Sequence, residues 1–489
     1  MTRERGWLTM LFMVAVVAAP RTARAHVGSP DVFVDTHAGP YRMFVTVRPP
    51  YAIPGIAEIE VVVPDGGVER LRVAPLPLTG PGARFAPAPD VAVRPPGQKT
   101  VFTASLWMMT AGAWQIRIDA EGSRGAGAAS VPVPTLPQAT LQMGRALGAL
   151  LVVLLGLLAA GLVSIVAAVA RDATLPAGEA PDARARRRGR IAGFVAACAV
   201  TAVGVLGNWW WTAEAANYSR YVYKPLTADT SVSGDGRLSL ALRDPGWIAM
   251  RRVDDLVADH GHLMHLFVVS PALDRLWHLH PTEREPGKFE QALPPADGAG
   301  RYEIFADVVH ATGISETVTA TLDAPAGAGH ALEGDDSAWR LGQPVQSDVS
   351  VLGDGGRMVR LHAGEALHPR ALTLLTFRVE DASGAPAGDL ELYMGMPGHA
   401  IVIRRDRSVF AHIHPSGSAP MAAMEIGRRA LAAANGGAPA PSEHQHHAAA
   451  LPPTVTFPYG FPAAGDYRIF VQVKRHGRIE TGVFDIGVR

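Results

Sequence analysis

Cysteine is almost missing from this chain: Cys198 stands alone among 489 residues. That excludes an intrachain disulfide framework and any cysteine-based metal site, so a metal would fall to histidine, methionine or carboxylate. Excess charge is missing too. Lys+Arg and Asp+Glu both number 45, and a net charge of zero gives no reason to expect nucleic acid as a partner. Helical periodicity is scarce outside two long apolar runs. In its place, alternating segments such as Ala57–Val63 and Leu372–Val379 are separated by Gly, Pro and Asp turns, the pattern of an all-β protein.

The apolar runs set the topology. Residues 1–25 have the layout of a signal peptide: Arg3 and Arg5, an apolar stretch from Leu8 to Ala19, and Ala23-Arg24-Ala25 as a cleavage site. Cleavage there would make His26 the first residue. Residues 146–170 and 191–211 carry no charge and are each long enough to span a hydrocarbon core of about 30 Å. The segment between them, 171–190, holds Arg171, Arg184, Arg186, Arg187, Arg188 and Arg190, and is expected on the cytoplasmic side. Trp209, Trp210 and Trp211 then mark the outer interface. The chain is expected in the inner membrane, as a multi-pass protein with the lipid bilayer as partner and soluble regions 26–140 and 212–489 in the periplasm.

One strand signature recurs in the soluble regions. It reads Gly112-Ala-Trp-Gln-Ile-Arg-Ile, Gly300-Arg-Tyr-Glu-Ile-Phe-Ala-Asp-Val and Gly465-Asp-Tyr-Arg-Ile-Phe-Val-Gln-Val. A turn glycine, an aromatic and alternating aliphatics suit a strand with one face in a sandwich core. The expected fold class is mainly β: three immunoglobulin-like β-sandwich modules, 26–140, 226–325 and 343–489, with a two-helix transmembrane hairpin between the first and second. Ala324–Gly342 reads as a linker. The insertion Ser416–Pro453 reads as a mobile loop with a possible short helix over Met421–Ala434, and carries His444, His446 and His447 as either metal collectors or solvated residues.

The last two modules share a second pattern, offset by 134 residues. His265, His278 and His280 recur as His399, His412 and His414, while His260 and His262 recur as Met394 and Met396. Turns at Ala272-Leu273 and Asp406-Arg407 would put His265 opposite His280 and His399 opposite His414. His278 and His280, at i and i+2, share a face, so three imidazoles project from one side of each hairpin. Gly261 and Gly395 allow bends that would fold His260, His262, Met394 and Met396 over the ion of their own module. Exchange of imidazole for thioether at constant spacing points to copper, as Cu(I) or Cu(II), and fits zinc less well.

Other candidates carry less. His26 as a free N-terminus, with His37, would form a copper-binding histidine brace. His310 and His476 read as surface residues or extra ligands, Met108 and Met109 as core packing, and His362 and His368 as structural.

Met394-Gly-Met396-Pro-Gly-His399 with His412-Ile-His414 resembles the YtkA-like family of small extracytoplasmic immunoglobulin-like domains, over roughly residues 226–325 and 345–489. His26 after the signal peptide is more faintly similar to the CopC family of periplasmic copper carriers. Both resemblances imply copper handling outside the cytoplasm. The expected function is copper capture, storage or delivery, with a copper-donor or copper-acceptor protein as partner, and no enzymatic activity. Two alternatives stay open: a cupin-like metalloenzyme built on His278, His280 and Glu285, and a metal-free immunoglobulin-like interaction or assembly protein.

Overall fold

Alternation along the strands puts one face of each into a core, and the computed structural model shows five sheets in three β-regions. It describes residues 31–489 except 142, 177, 248–250, 297, 328 and 438–449. His26 and the His444–His447 cluster therefore lie outside the described residues. The first region has two four-stranded sheets. One contains Val32–Ala38, Tyr41–Arg48, Gly55–Val62 and Val101–Met108; the other contains Val68–Pro77, Asp90–Val91, Gly112–Gly122 and Gly125–Thr135. Both line one core that includes Tyr41, Ile59, Leu71, Met108 and Ile116.

Two helices follow, α1 (Arg145–Asp172) and α2 (Ala183–Ser219), both long and apolar enough to cross a membrane. Their faces are almost wholly exposed, which suits lipid as the surrounding solvent. They meet where small residues allow it: a Cβ on Gly189 would lie 2.8 Å from the Ala167 carbonyl oxygen. The arginine-rich segment is shorter as a loop than its composition suggested. Asp182 accepts from the Ala185 amide at 2.6 Å and caps α2, so Arg184 to Arg190 form its first turns.

The second region is a single ten-stranded sheet that closes over its own core. Leu238, Leu240 and Phe289 meet Leu266, Val268 and Ile304 there. The third has two sheets around Phe377, Phe457, Ile469 and Phe484. The expected linker 324–342 is not a plain tether. Ser337–Arg340 forms a strand that pairs with Arg275–Leu279, because the apolar Trp339 needs cover and the hairpin edge needs hydrogen bonds.

The insertion 416–453 carries the expected short helix, and its first part is packed against the rest of the molecule. Met421–Ala434 is a helix, α3, with Gly427 close against Ser130 of the first region. Ala419 joins that region's core, and the Val34–Gly417 bridge ties the regions together. Gly417, at φ 117°, is required there, since a Cβ would sit 1.9 Å from the Phe33 carbonyl oxygen.

The second and third regions meet sheet to sheet. Phe267, Val269, Leu273, Leu276 and Phe305 interdigitate with Ile401, Ile403, Phe410, Phe470 and Val483. Phe305 and Phe410 stack with centroids 4.3 Å apart.

Candidate metal centre

The hairpin registers follow from the turns. Leu266 pairs with Leu279 and Phe267 with His278, while Ala400 pairs with Ile413 and Ile401 with His412. Each register puts three histidines on the hairpin face that carries the interface phenylalanines. Aromatic packing fills one end of that interface and imidazoles fill the other. His260, His262, His265, His278, His280, His399, His412 and His414 thus form one contiguous group. Ring centroids of His265 and His412, from different modules, are 5.2 Å apart.

The grouping corrects the expectation of one self-contained site per module. His265, His278 and His280 do converge, with their ligand atoms within 4.8 Å of one another. His260 does not join them. It crosses the interface and converges with His399 and His414 within the same 4.8 Å limit. The bend at Gly261 exists, at φ 88°, but His260 itself is left-handed at φ 52° and its ring leaves toward the other module. There its Nδ1 donates to the Met394 carbonyl at 2.8 Å. His262 stays near its own hairpin, stacked on His280 at 4.0 Å.

Proton positions follow from fixed acceptors, because a neutral imidazole donates through one nitrogen only. His265 Nε2 donates to the Asp259 carbonyl at 3.1 Å, leaving a lone pair on Nδ1. His278 Nδ1 donates to Gln472 Oε1 at 2.8 Å, leaving a lone pair on Nε2. These two lone-pair nitrogens face each other at 3.3 Å. The other hairpin repeats the ring arrangement with one such fixed donor. His399 Nε2 donates to the Tyr393 carbonyl at 3.1 Å, His412 Nδ1 lies 3.5 Å from an Asp307 carboxylate oxygen, and the facing nitrogens are 3.2 Å apart. Facing lone pairs repel unless a cation lies between or beside them. Two imidazole nitrogens bound tetrahedrally at about 2.0–2.1 Å would lie about 3.3 Å apart.

Other ring orientations agree. His280 Nδ1 bonds Asp336 at 3.0 Å, and Nε2 of His280 and of His260 are buried with no hydrogen-bond partner among the described residues. Burial holds His265, His278, His399 and His412 well below the usual histidine range, and neighbouring imidazoles add to the shift. Burial pushes His280 down to about 3 and lowers His260. Such rings are neutral near pH 7, the form that binds a metal. Carboxylates surround them: Asp259, Asp307, Asp335 and Asp336. A cavity of about 1430 Å³ between the three regions reaches His265, His412 and His414, with Asp259 and Asp307 also on its wall.

Sequence reasoning missed the residues that orient the rings. Asp335 and Asp336 sit in the supposed linker, the first 3.4 Å from His262 Nε2. Asp307 and Gln472 occupy the same place in the recurring Gly-x-Tyr strand, opposite His265 and His399. A polar residue at one fixed position of an otherwise apolar strand was the available signal.

Met394 and Met396 are buried, 9% and 1% exposed, in the turn that matches His260–His262. His37 is an exposed residue opposite Arg42 and does not meet the cluster. His310 is no surface residue: it is buried between Asp255, at 2.5 Å, and Glu316, at 3.3 Å. His476 is exposed and pairs with Asp389. Met108 is core and Met109 is exposed. Glu285 pairs with Lys288 at the surface, while His278 and His280 are held by Gln472 and Asp336.

A family model described as "Domain of unknown function (DUF8832)" matches residues 221–326 and 350–489, half of the chain. Its two segments coincide with the two histidine-bearing regions. No curated protein matches. Among solved structures, the tetra-tandem repeat of a large adhesion protein's extending region is 8% identical, covering 89% of this chain and 71% of that one at TM-score 0.15. A 1.5-MDa bacterial ice-binding adhesin is 6% identical, covering 89% and 90% at TM-score 0.15. The FN1–FN3 domains of chicken CNTN1 are 9% identical, covering 91% and 97% at TM-score 0.14. Likeness at that level carries no argument about function.

Proposed function

The chain belongs to the DUF8832 family, a domain of unknown function, and from its own residues we propose that it is a membrane-anchored, extracytoplasmic copper-binding protein. It captures copper between its second and third modules and stores it or passes it to a partner protein. The observation that carries this reading is the pair of close imidazole contacts, the facing lone pairs of His265 and His278 and the matching approach of His399 to His412. Hydrogen bonds hold His265, His278 and His399 with a free nitrogen inward, as protein groups around a metal do, and Asp307 lies 3.5 Å from the outer nitrogen of His412. Copper is favoured over zinc because Met394 and Met396 are buried in the turn that matches His260–His262, and thioethers select soft ions.

The signal peptide and the arginines of Arg184 to Arg190 support an outward orientation of the modules from the inner membrane. The three β-regions are read as immunoglobulin-like sandwiches, the last two akin to YtkA-like domains. The cavity beside His265, His412 and His414 offers an ion an approach past Asp259 and Asp307.

Copper titration of the detergent-solubilised full chain tests this. Binding should be at least about tenfold tighter than in a variant with His265, His280, His399 and His414 all changed to Ala, a difference of about 1.4 kcal/mol per tenfold. Equal affinity would end the proposal. A second reading, metal-free assembly, draws on the apolar contact of Phe305 with Phe410, which joins the modules without an ion. Thermal stability separates the two, because a ligand that binds only the folded state must raise it.

A further inference from the structure

The two histidine-bearing modules are related by a pseudo-two-fold axis through their interface. Turns Asp259–His262 and Tyr393–Met396 each close with reciprocal backbone hydrogen bonds of 2.8 and 3.0 Å. His260 and Met394 take the same left-handed conformation, φ 52° and 51°. His278 of the second module reaches Gln472 of the third, and His412 of the third faces Asp307 of the second. Gln472 and Asp307 are themselves equivalent positions. The operation that lays the second module on the third therefore also lays the third on the second.

His260 obeys that operation by crossing over. Its ring lies 5.0 Å from His399 and 4.8 Å from His414, centroid to centroid. The same operation would carry the side chain of Met394 toward His265 and His280, the matches of His399 and His414. The two turns already touch, through His260 Nδ1 and the Met394 carbonyl.

We propose that the modules exchange one ligand each: the Met394 thioether completes the site of His265, His278 and His280, and His260 completes the site of His399, His412 and His414. This rests on the copper reading and adds to it in two ways. Neither module alone holds a complete site, so occupancy requires the pair. The sites are also chemically unequal, three imidazoles with one thioether against four imidazoles. Soft sulfur makes the first the stronger Cu(I) site, while the second accepts either oxidation state. Met396 matches His262, which stays beside its own hairpin, and is not one of the exchanged ligands.

X-ray absorption of the Cu(I)-loaded full chain reads this directly. The expected spectrum has one sulfur neighbour per two coppers, bound to one of them and not bridging. Met394→Leu should remove it, Met396→Leu should leave it, and His260→Met should double it. The last variant gains signal, so misfolding cannot imitate the result. Two bound coppers with only nitrogen neighbours, or sulfur lost in Met396→Leu in place of Met394→Leu, would overturn the exchange and leave the copper reading standing. A chain that binds no copper would overturn both.

Discussion

Acid should loosen the metal-free interface strongly, and the size of the effect can be worked out. His265, His278, His399 and His412 are buried and held well below the ordinary histidine range by desolvation, and His280 is pushed down to about 3. In the unfolded chain each returns to about 6.5. A depressed folded pKa means that the unfolded state binds protons first. The stability these rings allow is therefore present above about pH 6.5 and is lost as pH falls toward the folded pKa. Between pH 6.5 and 5.5 each loses about 1 kcal/mol, about 5 kcal/mol for five rings. Asp307 acts in the opposite sense. Burial pushes its carboxyl up to about 7, so the folded state takes up that proton first and regains about 1 kcal/mol over the same interval. A net loss of about 4 kcal/mol is a large share of a domain's usual stability. Hydrogen exchange of the chelator-treated full chain measures it at strands His265–Val269 and His399–Arg404. Protection there should fall about a thousandfold, after correction for intrinsic exchange, and His278→Asn with His412→Asn should recover about 2 kcal/mol of the loss. Protection independent of pH would refute the burial of neutral rings.

Three further outcomes are expected. Phe305→Ala removes the ring stacked on Phe410 and should cost about 3–5 kcal/mol in thermal or urea unfolding, while weakening copper binding through loosened modules. Arg251→Met leaves Glu316, 1% exposed, without its guanidinium partner and should cost about 3–5 kcal/mol; adding Glu316→Leu should restore most of it in the same unfolding assay. Gly417→Ala forces a Cβ against the Phe33 carbonyl at positive φ and should cost about 1–3 kcal/mol, read as increased exchange of strand Val32–Ala38.

Much of the site was legible in the primary sequence because hairpin geometry is local. Turn position and a period of two are enough to place His265 opposite His280 and His399 opposite His414, and the strands pair in that register. The helix Met421–Ala434 was legible for the same reason, as an alanine-rich run without proline. What stayed hidden depends on contacts distant in sequence. No local rule tells which module His260 turns toward, since a left-handed residue in a tight turn can serve either side. The ring-orienting partners Asp336 and Gln472 lie 56 and 194 residues from the histidines they hold. His310 looked like a strand-end surface residue, yet its burial follows from Glu316 and Asp255 closing over it.

The central claim is that two coppers lie at the interface of the modules, one on each side of the pseudo-two-fold axis. Anomalous diffraction at the copper edge, from crystals of the copper-loaded full chain, locates them. The account expects two peaks, one among His265, His278 and His280 and the other among His260, His399, His412 and His414. Peaks confined to surface histidines such as His362 or His476, with none at the interface, would contradict it.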